Sequence, residues 1–150
     1  RLGYNGGRTV LTMNRTPYII AMKGDRISSL AKELGISDDV IMTGVREDVP
    51  ALLSAMDVLV LTSLYEGMPN TIIEAQATGL PCVISDTITR QADITGLVKF
   101  QSLDAPPEVW ADEAIGMCNA ERKNTKEDFL QANYDIDSVR ALFLDLLYGD

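Results

Sequence analysis

Residues 58–85 read VLVLTSLYEGMPNTIIEAQATGLPCVIS, and this stretch decides the fold class. Residues 58–61 form a continuous apolar run, which is typical of a strand covered on both sheet faces. A helix is predicted from residue 69 to residue 78, because Gly79 and Pro81 follow it as helix-ending residues. Residues 82–84 are the next apolar run. A strand, a helix and a second strand in this order predict a parallel pair with a crossover helix.

The same alternation extends along the chain. Further strands are predicted at 18–22, 40–42 and 97–100, and further helices at 27–34, 49–56, after Pro107 and over 139–147. Asp48 is placed to cap the second of these helices. The pattern predicts an α/β domain, a Rossmann-like parallel sheet with helices on both faces, over residues 17–150. Residues 1–16 are atypical, because no crossover helix fits before Tyr18, and are expected to be a hairpin partner, an edge strand or disordered.

Composition excludes several classes of function. The 150 residues carry 22 acidic and 13 basic side chains, so neither nucleic acid nor an anionic membrane is an expected partner. With no histidine, Ser-His-Asp triads and most zinc sites are excluded, and no metal site is expected. Cys82 and Cys118 lie in apolar runs and are interpreted as buried thiols. No apolar stretch is long enough for a transmembrane segment, and a chain that begins with Arg1 is expected to be a piece of a longer protein.

Candidate chemistry lies in the loops that leave the carboxyl ends of the predicted strands, where open α/β sheets bind ligands. In one of these loops Glu66, Gly67 and Pro69 directly precede a helix N-terminus, which offers free N–H groups to a phosphate. Glu74 lies about one turn inside that helix, and paired carboxylates suit the hydroxyls of sugars and riboses. On spacing alone the alternative stays open that these are solvated carboxylates and ordinary turn residues, with Arg46 a surface charge.

Residues 61–86, LTSLYEGMPNTIIEAQATGLPCVISD, closely resemble the donor-binding signature of family 4 glycosyltransferases. That signature has a glutamate, seven residues and a second glutamate, followed by alanine and Gly-Leu-Pro. The upstream segments VIMTGVR (40–46) and AMDVLV (55–60) are also similar to this family. The downstream segments SDTIT (85–89) and LVKF (97–100) resemble its bacterial exopolysaccharide and capsule branch. The resemblance covers residues 17–100 closely and the remaining C-terminal helices loosely.

The resemblance implies the C-terminal half of a GT-B fold, in which the second of two Rossmann-like domains holds a nucleotide-sugar. It implies that Glu66, the catalytic candidate, holds hydroxyls of the transferred sugar and that Glu74 holds the ribose hydroxyls. Backbone N–H groups around residues 68–71 would meet the sugar and diphosphate, and the loop at 44–46 would border the base. The implied donor-binding residues are Gly44, Val45, Arg46, Gly67, Met68, Pro69, Asn70, Thr71 and Glu74. The family transfers sugar with retention, and the resemblance implies no metal and no cofactor beyond the nucleotide-diphosphate sugar substrate.

Two departures from the family pattern shape the expectation for this chain. In the family, a pair of basic residues that balances the diphosphate lies well before the strand that corresponds to 17–22, whereas Gly7 and Arg8 are too close to that strand. The loop after the same strand usually reads Gly-Asp-Gly or Gly-Glu-Gly, whereas residues 23–26 read KGDR here. We expect the acceptor domain to be missing from this chain and the donor-binding domain to be incomplete at its N-terminus. We therefore expect the donor-binding part of a retaining glycosyltransferase of surface polysaccharide synthesis, which alone binds nucleotide weakly and transfers nothing.

Two other interpretations stay open. One is a non-catalytic nucleotide-sugar-binding or protein-interaction module, and the other is an α/β domain with a different ligand. The full-length enzyme is expected to be cytoplasmic and peripheral to the inner face of the membrane. A homodimer is a further expectation, because a truncated domain exposes the apolar surface on which its missing partner packed.

Overall fold

The computed structural model describes residues 9–14, 16–21 and 25–148. In this part of the chain the strands are β1 (Thr9–Asn14), β2 (Thr16–Ala21), β3 (Val40–Met42), β4 (Val58–Leu61), β5 (Cys82–Ser85) and β6 (Val98–Gln101). The α-helices are α1 (Asp25–Glu33), α2 (Val49–Ala55), α3 (Asn70–Ala77), α4 (Pro107–Cys118), α5 (Lys126–Gln131) and α6 (Ile136–Tyr148). The predicted alternation of strands and helices is confirmed.

The described strands form one six-stranded sheet in the order β3-β2-β1-β4-β5-β6. β2 pairs with β3 in parallel, and β4, β5 and β6 are also mutually parallel. β1 is antiparallel to both of its neighbours, so β2 and β4 point in the same direction. The carboxyl ends of β2 to β6 therefore share one edge of the sheet, and the predicted Rossmann-like α/β class is confirmed.

The N-terminal strand departs from a purely parallel sheet. β1 and β2 form a hairpin in which Asn14 faces Thr16, which confirms the hairpin alternative. The edge-strand alternative is wrong, because β1 also pairs with β4 and lies inside the sheet. A parallel neighbour at this place would need a crossover connection, whereas antiparallel strands can be joined by a tight turn. The features noted at Gly7, Arg8 and 22–24 lie outside the described residues, and the division after residue 16 stays a prediction.

Helices cover both faces of the sheet. On one face α2 and α3 enclose a core of fully or almost fully buried side chains: Leu53, Met56, Leu59, Leu61, Ile72, Ala75, Leu80, Cys82, Ile84, Ile88 and Ala92. On the other face α4 packs its Ala114 against Val58, Val60 and Val83. The continuous apolar runs of β4 and β5 arise because successive residues of each strand enter these two cores in turn.

The two cysteines differ in burial. Cys82 is fully buried in the first core, as predicted, and burial raises the pKa of its thiol. Cys118 is only half-buried beside the second core, so the prediction of a buried thiol is wrong there. The reason is that Cys118 is the last residue of α4, where the helix leaves the sheet face.

α3 is fixed along its length by Gln76, whose side chain is fully buried. Gln76 Nε2 donates to the carbonyl oxygens of Ile72 (3.2 Å) and Ala92 (2.7 Å). Its Oε1 accepts from the backbone N–H groups of Ile94 (2.9 Å) and Thr95 (3.1 Å), and from the Thr95 hydroxyl (2.9 Å). One side chain thus joins α3 to the connection between β5 and β6.

Residues 121–125, here called the return segment, hold the C-terminal ends of α2 and α3. Arg122 donates to the carbonyl oxygens of Thr78 (2.8 Å) and Leu53 (2.9 Å), at the C-terminal ends of α3 and α2. Thr125 Oγ1 donates to the carbonyl oxygen of Gln76 at 2.9 Å. Cations and donors at helix C-termini satisfy the last carbonyl groups and match the negative end of the dipole. The return segment therefore fixes α2 and α3 through their last carbonyl groups.

The last helix carries its apolar side chains into solvent. In α6 the exposed large apolar residues are Ile136, Val139, Leu142, Phe143, Leu144, Leu146, Leu147 and Tyr148. No helix in the described part of the chain has the length and apolar character needed to cross a membrane.

Candidate functional site

The candidate site lies where β4 ends and α3 begins. Because β4 and β5 are parallel neighbours, with Leu61 opposite Ile84, the loops that follow them leave the same edge of the sheet side by side. The loop after β3 leaves this edge too and leads into α2, which packs beside α3. The structure thus brings the two predicted ligand-binding segments, 44–46 and 66–74, to one edge. Among the described residues, no hydrogen bond or ion pair joins these two segments.

The N-terminus of α3 is free of side-chain caps. The backbone of its N-cap residue, Pro69, is extended, and the Pro69 carbonyl oxygen accepts the first helical hydrogen bond from Ile72 N–H at 2.9 Å. No side chain of the described residues caps this end. The N–H groups of Asn70 and Thr71 precede the first donor within the helix, and they lie at the positive end of the helix dipole. This arrangement suits a phosphate group.

Glu66 lies in the loop before this helix, half-buried and held in place. Ser63 Oγ donates to Glu66 Oε1 at 2.9 Å. The backbone carbonyl oxygen of Ser63 in turn accepts from the hydroxyls of Ser85 and Thr87, the latter at 3.2 Å. These hydroxyls join the loop after β4 to the chain at the end of β5. Ser63 is not among the residues predicted from the sequence, although a serine three residues before a loop carboxylate is a signal for such a contact.

Glu74 lies in the second turn of α3 with its side chain exposed, so the structure leaves it accessible to a ligand. Gly67 is exposed, and a Cβ built on it would find no atom within 4 Å. Its φ is not positive, so open space beside the backbone, rather than a left-handed conformation, distinguishes this glycine. Met68 is exposed and Pro69 is buried, so the loop presents Met68 to solvent and uses Pro69 as an anchor.

The loop after β3 carries the other predicted residues. Gly44 has a φ of +64°, a left-handed conformation that favours glycine, and Val45 is 98% exposed. Arg46 is paired with Asp48 through two hydrogen bonds, Nε to Oδ1 at 2.6 Å and Nη2 to Oδ2 at 2.5 Å. This bidentate contact raises the pKa of Arg46 and lowers the pKa of Asp48.

The pairing corrects one prediction. Asp48 does occupy the N-cap position of α2, but its side chain makes no capping hydrogen bond there. Both of its carboxylate oxygens accept from Arg46 instead, because a guanidinium two residues away offers two charged donors. Arg46 is therefore paired with Asp48 at the start of α2, and both side chains stay exposed to solvent.

Metal ligation has no candidate in the part of the chain that the structure describes. No group of three or more histidine, cysteine, aspartate or glutamate side chains is arranged to hold a metal ion among those residues. The expectation that the family's chemistry needs no metal stays a prediction.

Together these features define an α/β class of domain, with an uncapped helix N-terminus and a held carboxylate at the carboxyl edge of its sheet. The profile of the family described as glycosyl transferases group 1 matches residues 11–119. The chain belongs to this family, which is the family 4 group of glycosyltransferases that the sequence resembles. The sheet and its helices are consistent with a partial GT-B Rossmann-like domain.

Relatives at the sequence level include several bacterial glycosyltransferases. The chain is 41% identical over 113 residues to a protein of Bacillus subtilis (strain 168) named glycosyltransferase EpsF, an alignment covering 73% of this chain and 29% of that protein. It is 27% identical over 143 residues to UDP-Gal:alpha-D-GlcNAc-diphosphoundecaprenol alpha-1,3-galactosyltransferase of Escherichia coli, covering 87% of this chain and 37% of that enzyme. It is 32% identical over 143 residues to the Vi polysaccharide biosynthesis protein VipC/TviE of Salmonella typhi, an alignment covering 86% of this chain and 24% of that protein. The chain thus spans only about a quarter to a third of the length of these relatives.

Proposed function

We propose that this chain is the donor-binding part of a retaining glycosyltransferase of bacterial surface-polysaccharide synthesis, and that residues 66–74 bind its nucleotide-sugar. One observation carries the proposal: Glu66 is held by Ser63 in the loop that leads directly into the uncapped N-terminus of α3. An anion site and a fixed carboxylate adjoin along the chain, as a sugar diphosphate requires. The relatives support it, since the name of one of them specifies UDP-galactose as its donor.

The diphosphate is assigned to the N-terminus of α3. The N–H groups of Met68, Asn70 and Thr71 lie at or before the first turn, and the helix dipole adds partial positive charge there. The exposed backbone of Gly67 allows a ligand to approach closely. When the bond between the sugar and the diphosphate breaks, negative charge develops on the leaving oxygen. Donors fixed before the reaction stabilise that charge without having to reorganise.

The two carboxylates are assigned to hydroxyl groups. A carboxylate has about four acceptor sites, and Ser63 occupies one on Glu66, so acceptor capacity remains for two neighbouring sugar hydroxyls. Glu74, exposed in the second turn, is assigned to the ribose hydroxyls. The loop at 44–46 borders the base, with the backbone of Gly44 and Val45 exposed and Arg46 fixed by Asp48.

In the complete reaction, an acceptor hydroxyl oxygen forms the new bond to the anomeric carbon, and its proton leaves on the diphosphate. We propose that configuration is retained, that no metal or cofactor takes part, and that another domain binds the acceptor at the inner face of the membrane. The chain alone binds donor weakly and transfers no sugar. Detection of sugar transfer by the 150-residue chain would contradict that last statement.

The direct test is a titration of the chain with UDP-galactose, a GDP-sugar and an ADP-sugar, followed by the same titration of Glu74→Ala. Loss of charged hydrogen bonds to the ribose, worth about 1.5–3 kcal/mol, predicts roughly 10- to 100-fold weaker binding. Glu33→Ala is the matched control, because Glu33 is an exposed glutamate in the last turn of α1, at the opposite edge of the sheet. If the chain binds a nucleotide-sugar and Glu74→Ala binds it equally well, the ribose assignment is wrong.

A further inference from the structure

We propose that Ser63 is a positioning residue for Glu66, and that the chain at the end of β5 fixes Ser63 for this purpose. The inference rests on the proposed function, since it concerns the carboxylate assigned to the sugar hydroxyls. It starts from two contacts of one residue: the Ser63 hydroxyl donates to Glu66, and the Ser63 carbonyl oxygen accepts from Ser85 and Thr87.

The first contact restricts a side chain that is otherwise mobile. Glutamate has three rotatable side-chain bonds, and ordering such a side chain on binding costs about 0.5–1.5 kcal/mol. Ser63 has a single hydroxyl proton, which lies on the 2.9 Å line to Glu66 Oε1. Hydrogen bonds to an ionised acceptor are about twice as strong as neutral ones. The contact therefore orders the carboxylate before any ligand arrives.

The second contact fixes the donor itself. Ser85 is fully buried at the end of β5, and its hydroxyl donates to the Ser63 carbonyl oxygen. Thr87 Oγ1 donates to the same oxygen at 3.2 Å and lies 2.8 Å from Ser85 Oγ. A carbonyl oxygen has two lone pairs and accommodates both donors. The backbone of Ser63 is thus set by the neighbouring strand rather than by its own loop.

The contact between Ser63 and Glu66 is not required for the fold. Both side chains are only half-buried, so water can replace either partner if one is removed. The buried part of the network is the link between Ser85 and the Ser63 backbone, and Ser63→Ala leaves that link intact. A change confined to the Ser63 hydroxyl therefore separates positioning of Glu66 from stability of the loop.

One arm of the test needs no ligand. Three-bond Hα–Hβ couplings of Glu66, measured by NMR in the 150-residue chain, report whether its χ1 torsion, the first side-chain bond, has one rotamer or several. Wild type is expected to show one rotamer, Ser63→Ala averaged couplings, and Ser63→Thr restored ones, because threonine keeps the hydroxyl. Ser54→Ala is the matched control, since Ser54 is exposed on α2 and bonds only the Pro50 carbonyl oxygen. Unchanged Glu66 couplings in Ser63→Ala overturn the proposal.

The second arm measures the part of affinity that depends on the sugar, as the ratio of the Kd for UDP to the Kd for UDP-galactose. Ser63→Ala is expected to lower this ratio by about 2- to 10-fold, with the Kd for UDP and the unfolding midpoint unchanged, and Ser63→Thr to restore it. Equal losses for both ligands would indicate a merely structural role and overturn the proposal.

The variant Glu66→Gln distinguishes failure of the positioning role of Ser63 from failure of the proposed role of Glu66. If Glu66→Gln lowers the ratio and Ser63→Ala does not, the positioning role is wrong and the proposed function stands. If Glu66→Gln leaves the ratio unchanged, or wild type binds neither ligand, the proposed role of Glu66 fails, and the rotamer couplings alone decide whether Ser63 orders its side chain.

Discussion

Replacing Gln76 by leucine is the perturbation for which the structure gives the largest effect on α3. Leucine has a similar size and is an equally good helix former, so the change removes hydrogen bonds without opening a large cavity. It deprives the Ala92 carbonyl oxygen and the Thr95 N–H and hydroxyl of their partner, and all three contacts are buried. A buried polar group left without a partner costs about 1–3 kcal/mol. Allowing for partial relaxation, we expect a loss of about 3–6 kcal/mol, a large part of the 5–15 kcal/mol typical of a whole domain.

Urea unfolding followed by far-UV circular dichroism and by the fluorescence of Trp110 measures this loss. Trp110 is a suitable reporter because it is half-buried in α4 and its Nε1 donates to the Ser102 carbonyl oxygen at 3.0 Å. Gln131→Leu, at an exposed position of α5, is the matched control and is expected to stay within about 0.5 kcal/mol of wild type. For Gln76→Leu, a loss of unfolding free energy below about 1 kcal/mol would refute the view that Gln76 holds α3 to the segment before β6, provided that the dependence of this free energy on urea concentration is unchanged.

Three further changes test other parts of the account. Gly79→Ala is expected to destabilise the fold by about 2–4 kcal/mol, and Gly35→Ala by only about 1–2 kcal/mol, as measured by urea unfolding. Both glycines have left-handed φ values (+72° and +71°), but only at Gly79 would a Cβ lie 2.5 Å from a backbone oxygen of the return segment. The guanidinium of Arg46 holds the pKa of Asp48 below its ordinary value, so the pair stabilises the fold at pH values above the ordinary aspartate pKa and loses this effect as the pH falls through the lowered pKa of Asp48. Arg46→Ala should raise the midpoint of the Asp48 carboxyl 13C titration, and an unchanged midpoint would argue against the pairing. Burial raises the pKa of the Cys82 thiol, so mass spectrometry should find it unalkylated by iodoacetamide at pH 8 in the native chain and alkylated in denaturant; rapid native labelling would be inconsistent with the core.

Local pattern was enough to predict the elements that build the edge of the sheet. The helix predicted over 69–78 is α3, Asn70–Ala77, because Gly79 takes the left-handed conformation that ends it. The apolar run at 58–61 is β4, buried throughout, because both faces of the sheet are covered. Signals of this kind lie within the element itself or one turn from it, so the sequence reports them directly.

Contacts between distant residues could not be predicted in this way. The strand β1 fits a hairpin and an edge equally well until its pairing with β4 is known. Gln76 and Ala92 are 16 positions apart, Ser63 and Ser85 are 22 apart, and Arg122 reaches Leu53 over 69 positions. Polar side chains that bond distant backbone groups look the same in sequence as solvated ones. The contact between Ser63 and Glu66 spans only three positions and had a local signal, whereas the contact of Ser85 with the Ser63 backbone had none.

The central claim, that the loop at 66–69 and the first turn of α3 bind a nucleotide-sugar, is tested most directly by NMR. Backbone amide resonances of the 15N-labelled chain are followed while UDP-galactose is added to saturation, which detects weak binding and locates it. The account predicts that the largest shifts fall on the N–H groups of Gly67, Met68, Asn70 and Thr71, beside the uncapped end of α3. Saturable shifts that leave these amides unmoved and cluster elsewhere in the chain would contradict it.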